Sequence, residues 1–171
     1  SGIDAALTGE DVLMIMPTGF GKSACYQVPS MLLPKPTLVI SPLLALLRDQ
    51  HEKLIKYEIP CVRIDGTLRG KKREAAIERI REGGSLLVMT TPESLANEEI
   101  SGALLESGIS LAAVDEAHCI SDWGHDFRPH YRLLERFIRN MPSNIKLLAT
   151  TATANNRVMQ DLENVLGPNL R

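Results

Sequence analysis

Two short stretches carry residue types suited to chemistry on a phosphate. Residues 16–23 read MPTGFGKS, and residues 115–118 read DEAH. In the first, Gly19 and Gly21 bracket Phe20, and Lys22 and Ser23 follow directly. Glycines let the backbone fold tightly and turn its N–H groups inward, and a helix opening at Lys22-Ser23 adds positive potential at its N-terminus. Lys22 would reach the β- and γ-phosphates of a nucleotide, and the Ser23 hydroxyl would ligate Mg²⁺. The match to G-x-x-x-x-G-K-[ST] is incomplete, because Met16 stands at the first glycine position. A glycine-rich turn with a surface lysine is the bland alternative. The apolar run DVLMIM before the loop and the helix after it favour the phosphate loop.

In the second stretch, Asp115 and Glu116 end the apolar run SLAAVD. Ligands of open α/β sheets bind off the carboxyl ends of the strands, so both carboxylates should face the crevice that holds the phosphate loop. Asp115 would hold Mg²⁺, usually through water, and Glu116 would orient and polarise the attacking water. Alone, an Asp-Glu pair reads better as a helix cap. The upstream phosphate loop reverses that preference. A third run, KLLATTATA (146–154), ends in Thr150, Thr151 and Thr153. Their hydroxyls could bridge the γ-phosphate region to other parts of the molecule, although threonine is also simply a good strand residue.

The acidic pair opens a dense segment, DEAHCISDWGHDFRPHY (115–131), with three of the four histidines and the only tryptophan. His118, Cys119, His125, Asp126 and His130 are metal-ligating types, but no H-x₃-H or C-x-x-C spacing joins them. That spacing argues against zinc. A satellite core built on Trp123 and Phe127 stays open, since large aromatics are most often buried.

Elements must position these groups. Six apolar runs, at 11–16, 37–41, 61–64, 85–91, 110–115 and 146–151, are rich in Val, Ile and Leu and mostly lack clean alternation. Strands buried on both faces of a parallel sheet read this way. Between them, residues 41–58, 68–84 and 129–140 carry apolar residues at helical spacing, with Gly83-Gly84 closing the second and Pro129 opening the third. Repeated strand–helix alternation predicts βαβ units and one α/β domain, a mostly parallel sheet sandwiched by helices. Residues 70–82 interleave Glu74, Glu78 and Glu82 with cations, the pattern of a solvated, salt-bridged face rather than a nucleic-acid strip.

Composition narrows the function classes. The net charge is −2, so any grip on a polyanion must come from local groups or a partner lobe. Cys25, Cys61 and Cys119 are odd in number and widely spaced, which fits a reducing compartment and not a disulfide framework. Cys25 and Cys61 read as buried thiols, and His51 as a surface helix residue. The longest apolar runs, such as Leu43–Leu47, are far too short to cross a bilayer, and nothing at the N-terminus reads as a secretory signal.

MPTGFGKSACYQVP, VISPLLALLRDQ, LLVMTTPESL, DEAHCISDWGHDFRPHY and LATTATA stand in the order and spacing of superfamily 2 helicases, from Asp11 to Ala154. The aromatic-rich segment after DEAH resembles the RecQ family, whose members are ATP-driven 3′-to-5′ DNA helicases. The resemblance implies a RecA-like P-loop NTPase lobe with ATP and Mg²⁺ as nucleotide and metal. It also implies partners in single-stranded and duplex DNA and in a second RecA-like lobe of the same polypeptide, and no membrane partner. Met16, Pro17, Thr18, Gly19, Phe20, Gly21, Lys22 and Ser23 match the nucleotide loop, and Met at its first position is family-like. Asp115, Glu116 and His118 match the DEAH box, the histidine linking the γ-phosphate side to Thr150–Thr153. Ser41, Pro42, Thr91 and Pro92 match segments that grip a strand's backbone through hydroxyls and N–H groups. The segment from Cys119 to His130 matches a loop that couples DNA to ATP hydrolysis, with Trp123 and Phe127 as stacking faces and Arg128 as a phosphate contact.

Phe20 departs from the small residue usual at its position. The chain also starts too late for the segment that reads adenine in this family, and it ends at Arg171 without a second lobe, a zinc subdomain or a winged helix. The expectation is therefore a motor fragment that works poorly alone. Its compartment would be the bacterial cytoplasm around the nucleoid, or the nucleus of a eukaryote.

Overall fold

A computed structural model describes residues 24–115, 136–137 and 146–151, the strand at 12–15 and single helical positions at 157, 160 and 164, with backbone alone at 12–15 and 24–26. All six expected strands are present, trimmed at their ends: β1 (Val12–Ile15), β2 (Thr37–Ile40), β3 (Cys61–Ile64), β4 (Leu87–Thr90), β5 (Leu111–Val114) and β6 (Lys146–Thr151). They form one sheet in the order β1-β6-β5-β2-β4-β3, and every neighbouring pair is parallel. β6, the last of the described strands in sequence, therefore lies between β1 and β5.

Side chains alternate between the two faces of a strand, and both faces are covered. Leu38, Ile40, Val88, Ala112, Val114 and Ala149 join one core with Ile77 and Ile80 of α3 (Gly70–Glu82) and Ile100, Ala103 and Leu104 of α4 (Glu98–Ser107). Val39, Leu87, Met89, Ala113 and Leu148 join the other with Leu47 and Leu54 of α2 (Leu44–Lys56). The absence of clean alternation in the sequence follows from this double burial. α1 (Ala24–Leu32) follows the glycine-rich loop, as expected.

Gly83 and Gly84 adopt φ of 71° and 84°, the left-handed region that lets glycine close α3. Helix α4 and the 3₁₀ turn at Glu93–Ala96 are additions to the sequence expectation. The Asn97 side chain caps α4 by accepting from the N–H groups of Glu99 (3.0 Å) and Ile100 (3.2 Å). Of the expected helix at 129–140, Arg136 and Phe137 are described and are helical, and the remainder lies outside the described residues.

The charged face of α3 differs from expectation in its partners. Arg79 pairs with Glu82 at 3.9 Å within the helix, but Arg73 reaches Glu99 (3.2 Å) and Arg81 reaches Glu106 (3.6 Å), both on α4. Helix-to-helix pairing replaces part of the anticipated i,i+4 ladder, because α4 packs alongside and offers carboxylates at the right height. His51 and Cys61 are half-buried rather than exposed and buried, respectively. Burial, and then the Arg63 charge, hold the His51 imidazole below its usual range, and burial pushes the Cys61 thiol up.

Candidate functional site

All six strands run parallel, so their carboxyl ends meet at one edge, where ligands of such sheets bind. The register aligns Ile64, Thr90, Ile40, Val114 and Ala149 across β3, β4, β2, β5 and β6. One residue further along, the chain places Asp65, Thr91, Ser41, Asp115 and Thr150. All five are polar and all five are buried. A polar layer of this kind must satisfy its own hydrogen bonds, because an unpaired buried group costs about 1–3 kcal/mol.

Asp115 is 1% exposed and its N–H donates to the Ile40 carbonyl at 2.8 Å, which extends β5 by one residue. Its carboxylate accepts from the Thr150 hydroxyl at 2.7 Å across the β5–β6 boundary. The Thr150 hydroxyl, read from the sequence as a group that could bridge the γ-phosphate region, donates to Asp115 in this structure. Thr150 lies opposite Met14 and Thr151 opposite Ile15, the last residue of β1. The strand that leads into residues 16–23 therefore ends beside the pair that orients Asp115.

Lys22, Ser23 and the rest of the loop from Met16 to Gly21 lie outside the described residues. So do Glu116, His118, Trp123, Phe127, Arg128 and Thr153. Among the described residues no cluster of His, Cys, Asp or Glu could hold a metal ion by itself, and no helix is long and apolar enough to cross a membrane.

Thr150→Val keeps the shape of the side chain and deletes the hydroxyl. The expected result is a loss of about 1–3 kcal/mol in folding stability by denaturant titration, with Thr150→Ser near the parent. Equal stability of all three proteins would show that the hydroxyl holds nothing.

The other end of the edge is a cavity of about 490 Å³ between the tips of β2, β3 and β4. Pro42, Thr91, Ser94, Asn97, Asp65, Thr67, Arg69 and Arg73 are among its lining residues. The structure thus brings Pro42 and Thr91 to one groove, and their chain neighbours Ser41 and Pro92 are buried. The Ser41 and Thr91 hydroxyls both have partners close by in sequence. Ser41 Oγ accepts from the Leu43 N–H at 3.4 Å, and Thr91 Oγ1 shares a hydrogen bond with Ser94 Oγ at 2.9 Å. Both hydroxyls thus take part in the hydrogen bonding of their own turns.

Sequence reasoning missed Asp65. It ends the run CVRI as Asp115 ends SLAAV, so the same strand-tip argument would have found it. Asp65 is 3% exposed, pairs with Arg63, and accepts from both the N–H (2.8 Å) and the hydroxyl of Thr67. Burial alone would push its carboxyl up. The two bonds from Thr67 and the charge of Arg63 outweigh that and hold it below the usual carboxylate range.

Comparison with known proteins gives this edge a context. The family model described as DEAD/DEAH box helicase matches residues 1–162. The chain is 40% identical over 153 residues to the ATP-dependent DNA helicase RecQ of Bacillus subtilis, covering 90% of this chain and 26% of that protein. It is 40% identical over 175 residues to the ATP-dependent DNA helicase hus2/rqh1 of Schizosaccharomyces pombe, covering 96% of this chain and 13% of that one. The chain therefore spans about a quarter of the first of these curated relatives and about an eighth of the second. Among solved structures, the Hef helicase domain of Pyrococcus furiosus superposes with a TM-score of 0.72 at 21% identity, over 96% of this chain and 34% of that one. The helicase MrfA, bound to DNA and AMPPNP, gives 0.70 at 23% identity, over 99% of this chain and 25% of that one. These two likenesses bear on the fold, which is that of a helicase RecA-like domain. With a parallel sheet of that architecture, a DEAH sequence off the tip of β5 and a family match along nearly its whole length, the chain belongs to the DEAD/DEAH box helicases.

Proposed function

We propose that the chain is the nucleotide-binding first lobe of a RecQ-type DNA helicase, which couples ATP hydrolysis to 3′-to-5′ movement along single-stranded DNA and to unwinding of duplexes. The observation that carries this reading is the Thr150–Asp115 hydrogen bond at the shared tip of β5 and β6, beside the end of β1. It holds a carboxylate still at the point where a loop with Lys22 and Ser23 begins.

The donor set suits Mg²⁺: a buried carboxylate oriented by one hydroxyl, with the Ser23 hydroxyl one residue before α1 in the sequence. The ion, when bound, would neutralise phosphate charge. Lys22 compensates the same charge from the loop, and Glu116 takes the proton of the attacking water. His118 passes the state of the γ-phosphate towards Thr150–Thr153, and Trp123, Phe127 and Arg128 report the presence of DNA. A second RecA-like lobe of the same polypeptide closes over the nucleotide. A single strand follows the groove past Pro42 and Thr91, held mainly by backbone contacts, which suits a lobe with net charge −2.

The test is the ATPase rate of the full-length polypeptide with and without single-stranded DNA, with RNA of the same sequence as the second arm. Strong stimulation by DNA and little by RNA is expected. Stimulation by RNA alone would move the chain to the RNA helicases, and no stimulation by either would leave a nucleotide-binding docking module.

A further inference from the structure

We propose that the amino edge of the sheet carries a docking surface for a second protein, centred on Tyr57 and Glu58. The segment it takes presents an arginine among apolar side chains. The inference stands apart from the nucleotide and strand assignments, which concern the opposite edge.

Helices α1 and α2 cover the same face of the sheet, α1 against β2 and β4, and α2 against β3 and β4. Each follows a strand of a parallel sheet, so each runs from the carboxyl edge back to the amino edge, where their ends are neighbours. Those ends hold the four most exposed large apolar side chains among the described residues. They are Met31 and Leu32 at the end of α1, and Ile55 and Tyr57 at the end of α2, with Tyr57 73% exposed and Leu32 64%. Single exposed apolar residues are ordinary, but a group of them at one edge marks a contact surface.

The turn that ends α2 gives an independent reason to look there. The Ile59 N–H donates to the Leu54 carbonyl at 2.9 Å, and the Glu58 N–H donates to the Ile55 carbonyl at 3.0 Å. These two bonds close a helix through a residue in the left-handed region, where glycine is preferred. Glu58 occupies that position at φ of 58°, and no other non-glycine among the described residues has a positive φ. Its carboxylate also has the wrong sign for the carboxyl end of a helix dipole. Lys53 and Lys56 in the last turn have the right sign, and Lys53 pairs with Asp49 at 3.2 Å. Glu58 makes no ion pair with a described residue. It thus disfavours its own helix end in two ways, and strain of this kind gathers at functional sites.

The side chains select the partner. Tyr57 and Glu58 are neighbours in sequence and offer a ring face and a carboxylate, which an arginine guanidinium engages together by stacking and by paired hydrogen bonds. Ile55, Met31 and Leu32 then receive apolar residues on either side of that arginine. A phosphate backbone fits less well, because Glu52 and Glu58 flank Ile55 in sequence. The strand groove also lies the length of α2 away, about 20 Å for its 13 residues.

The experiment uses the full-length polypeptide and fluorescent nonapeptide pools with Arg, Gln or Glu at the centre and Leu, Ile, Phe and Ser at random on either side. Anisotropy should show saturable binding of the Arg pool, about tenfold weaker binding of the Gln pool and none of the Glu pool. Glu58→Gly should weaken the Arg pool about tenfold and raise the melting temperature by about 2–4 °C. DNA-stimulated ATP turnover should stay within about twofold of the parent in the same variant. Tyr57→Ala should weaken the Arg pool about threefold. The proposal is overturned if no pool binds saturably, or if both variants bind the Arg pool as the parent does. A lowered melting temperature in Glu58→Gly would remove the strain on which it rests. Loss of oligothymidylate affinity in Tyr57→Ala would make the surface a nucleic-acid contact and overturn it. Protection of Tyr57 from iodination in the full-length polypeptide would also overturn it, since another domain of the same chain would then cover this edge.

Discussion

The expected result of Glu116→Gln in the full-length polypeptide is a fall in ATP turnover of roughly 10²–10⁴-fold with nucleotide affinity preserved. The amide keeps the shape and hydrogen-bonding reach of the carboxylate but cannot accept the proton of the attacking water. Lys22→Ala should behave differently. Its ammonium is placed to compensate phosphate charge in the ground state as well as in the transition state, so binding should weaken on the order of 10–100-fold and hydrolysis with it. Measuring ATP affinity by a fluorescent analogue alongside turnover separates the two. The assignment fails if both variants lose affinity equally, because Glu116 would then be a binding group rather than a base.

The second large effect concerns Trp123. As part of a loop that couples DNA to hydrolysis, Trp123→Ala should abolish most of the DNA stimulation of ATP turnover, and unwinding with it. Melting temperature and DNA-free nucleotide binding should barely move. A satellite core built on Trp123 gives another outcome: truncating a buried aromatic costs roughly 3–5 kcal/mol, so the melting temperature would drop sharply. A metal site in the same segment gives a third, in which chelators reproduce the mutant and about one zinc per chain is found by elemental analysis. One mutant with three measurements distinguishes them, and a destabilised Trp123→Ala protein counts against coupling.

Strands were legible in the sequence because the information is local. An apolar run such as TLVIS or LLVMTT announces burial on both faces whichever strands lie beside it. The register is another matter. Nothing in LAAVD or in KLLATT says that Asp115 and Thr150 share a level, since that depends on two segments meeting side by side. The polar layer from Asp65 to Thr150 was invisible for this reason, although each member could be seen at the end of its own run. Helix α4 was legible and was overlooked: Asn97 before Glu98-Glu99, then Ile100, Ala103 and Leu104, then Gly108 with φ of 72° is a complete start and stop. The ion pairs of Arg73 and Arg81 could not be assigned from within α3, because their carboxylates, Glu99 and Glu106, belong to α4. The bonds of the Ser41 and Thr91 hydroxyls within their own turns are likewise a matter of conformation, which residue type alone leaves undecided.

The place of β6 between β1 and β5 sets a timetable for the growing chain. Of the six described strands β1 leaves the ribosome before the others, and its described neighbour in the sheet is β6, which leaves after them. Synthesis at roughly 5–20 residues per second separates the two by on the order of 10 s. During that interval β2, β3, β4 and β5 already possess all the mutual pairings they have in the finished sheet. They can condense as a four-stranded nucleus while the edge of β5 stays open and β1, with the loop that follows it, waits unpaired. Nucleotide binding is then the last property the nascent lobe acquires. A ribosome stalled before Lys146 should display a protease-resistant β2–β5 body attached to a cleavable N-terminal segment.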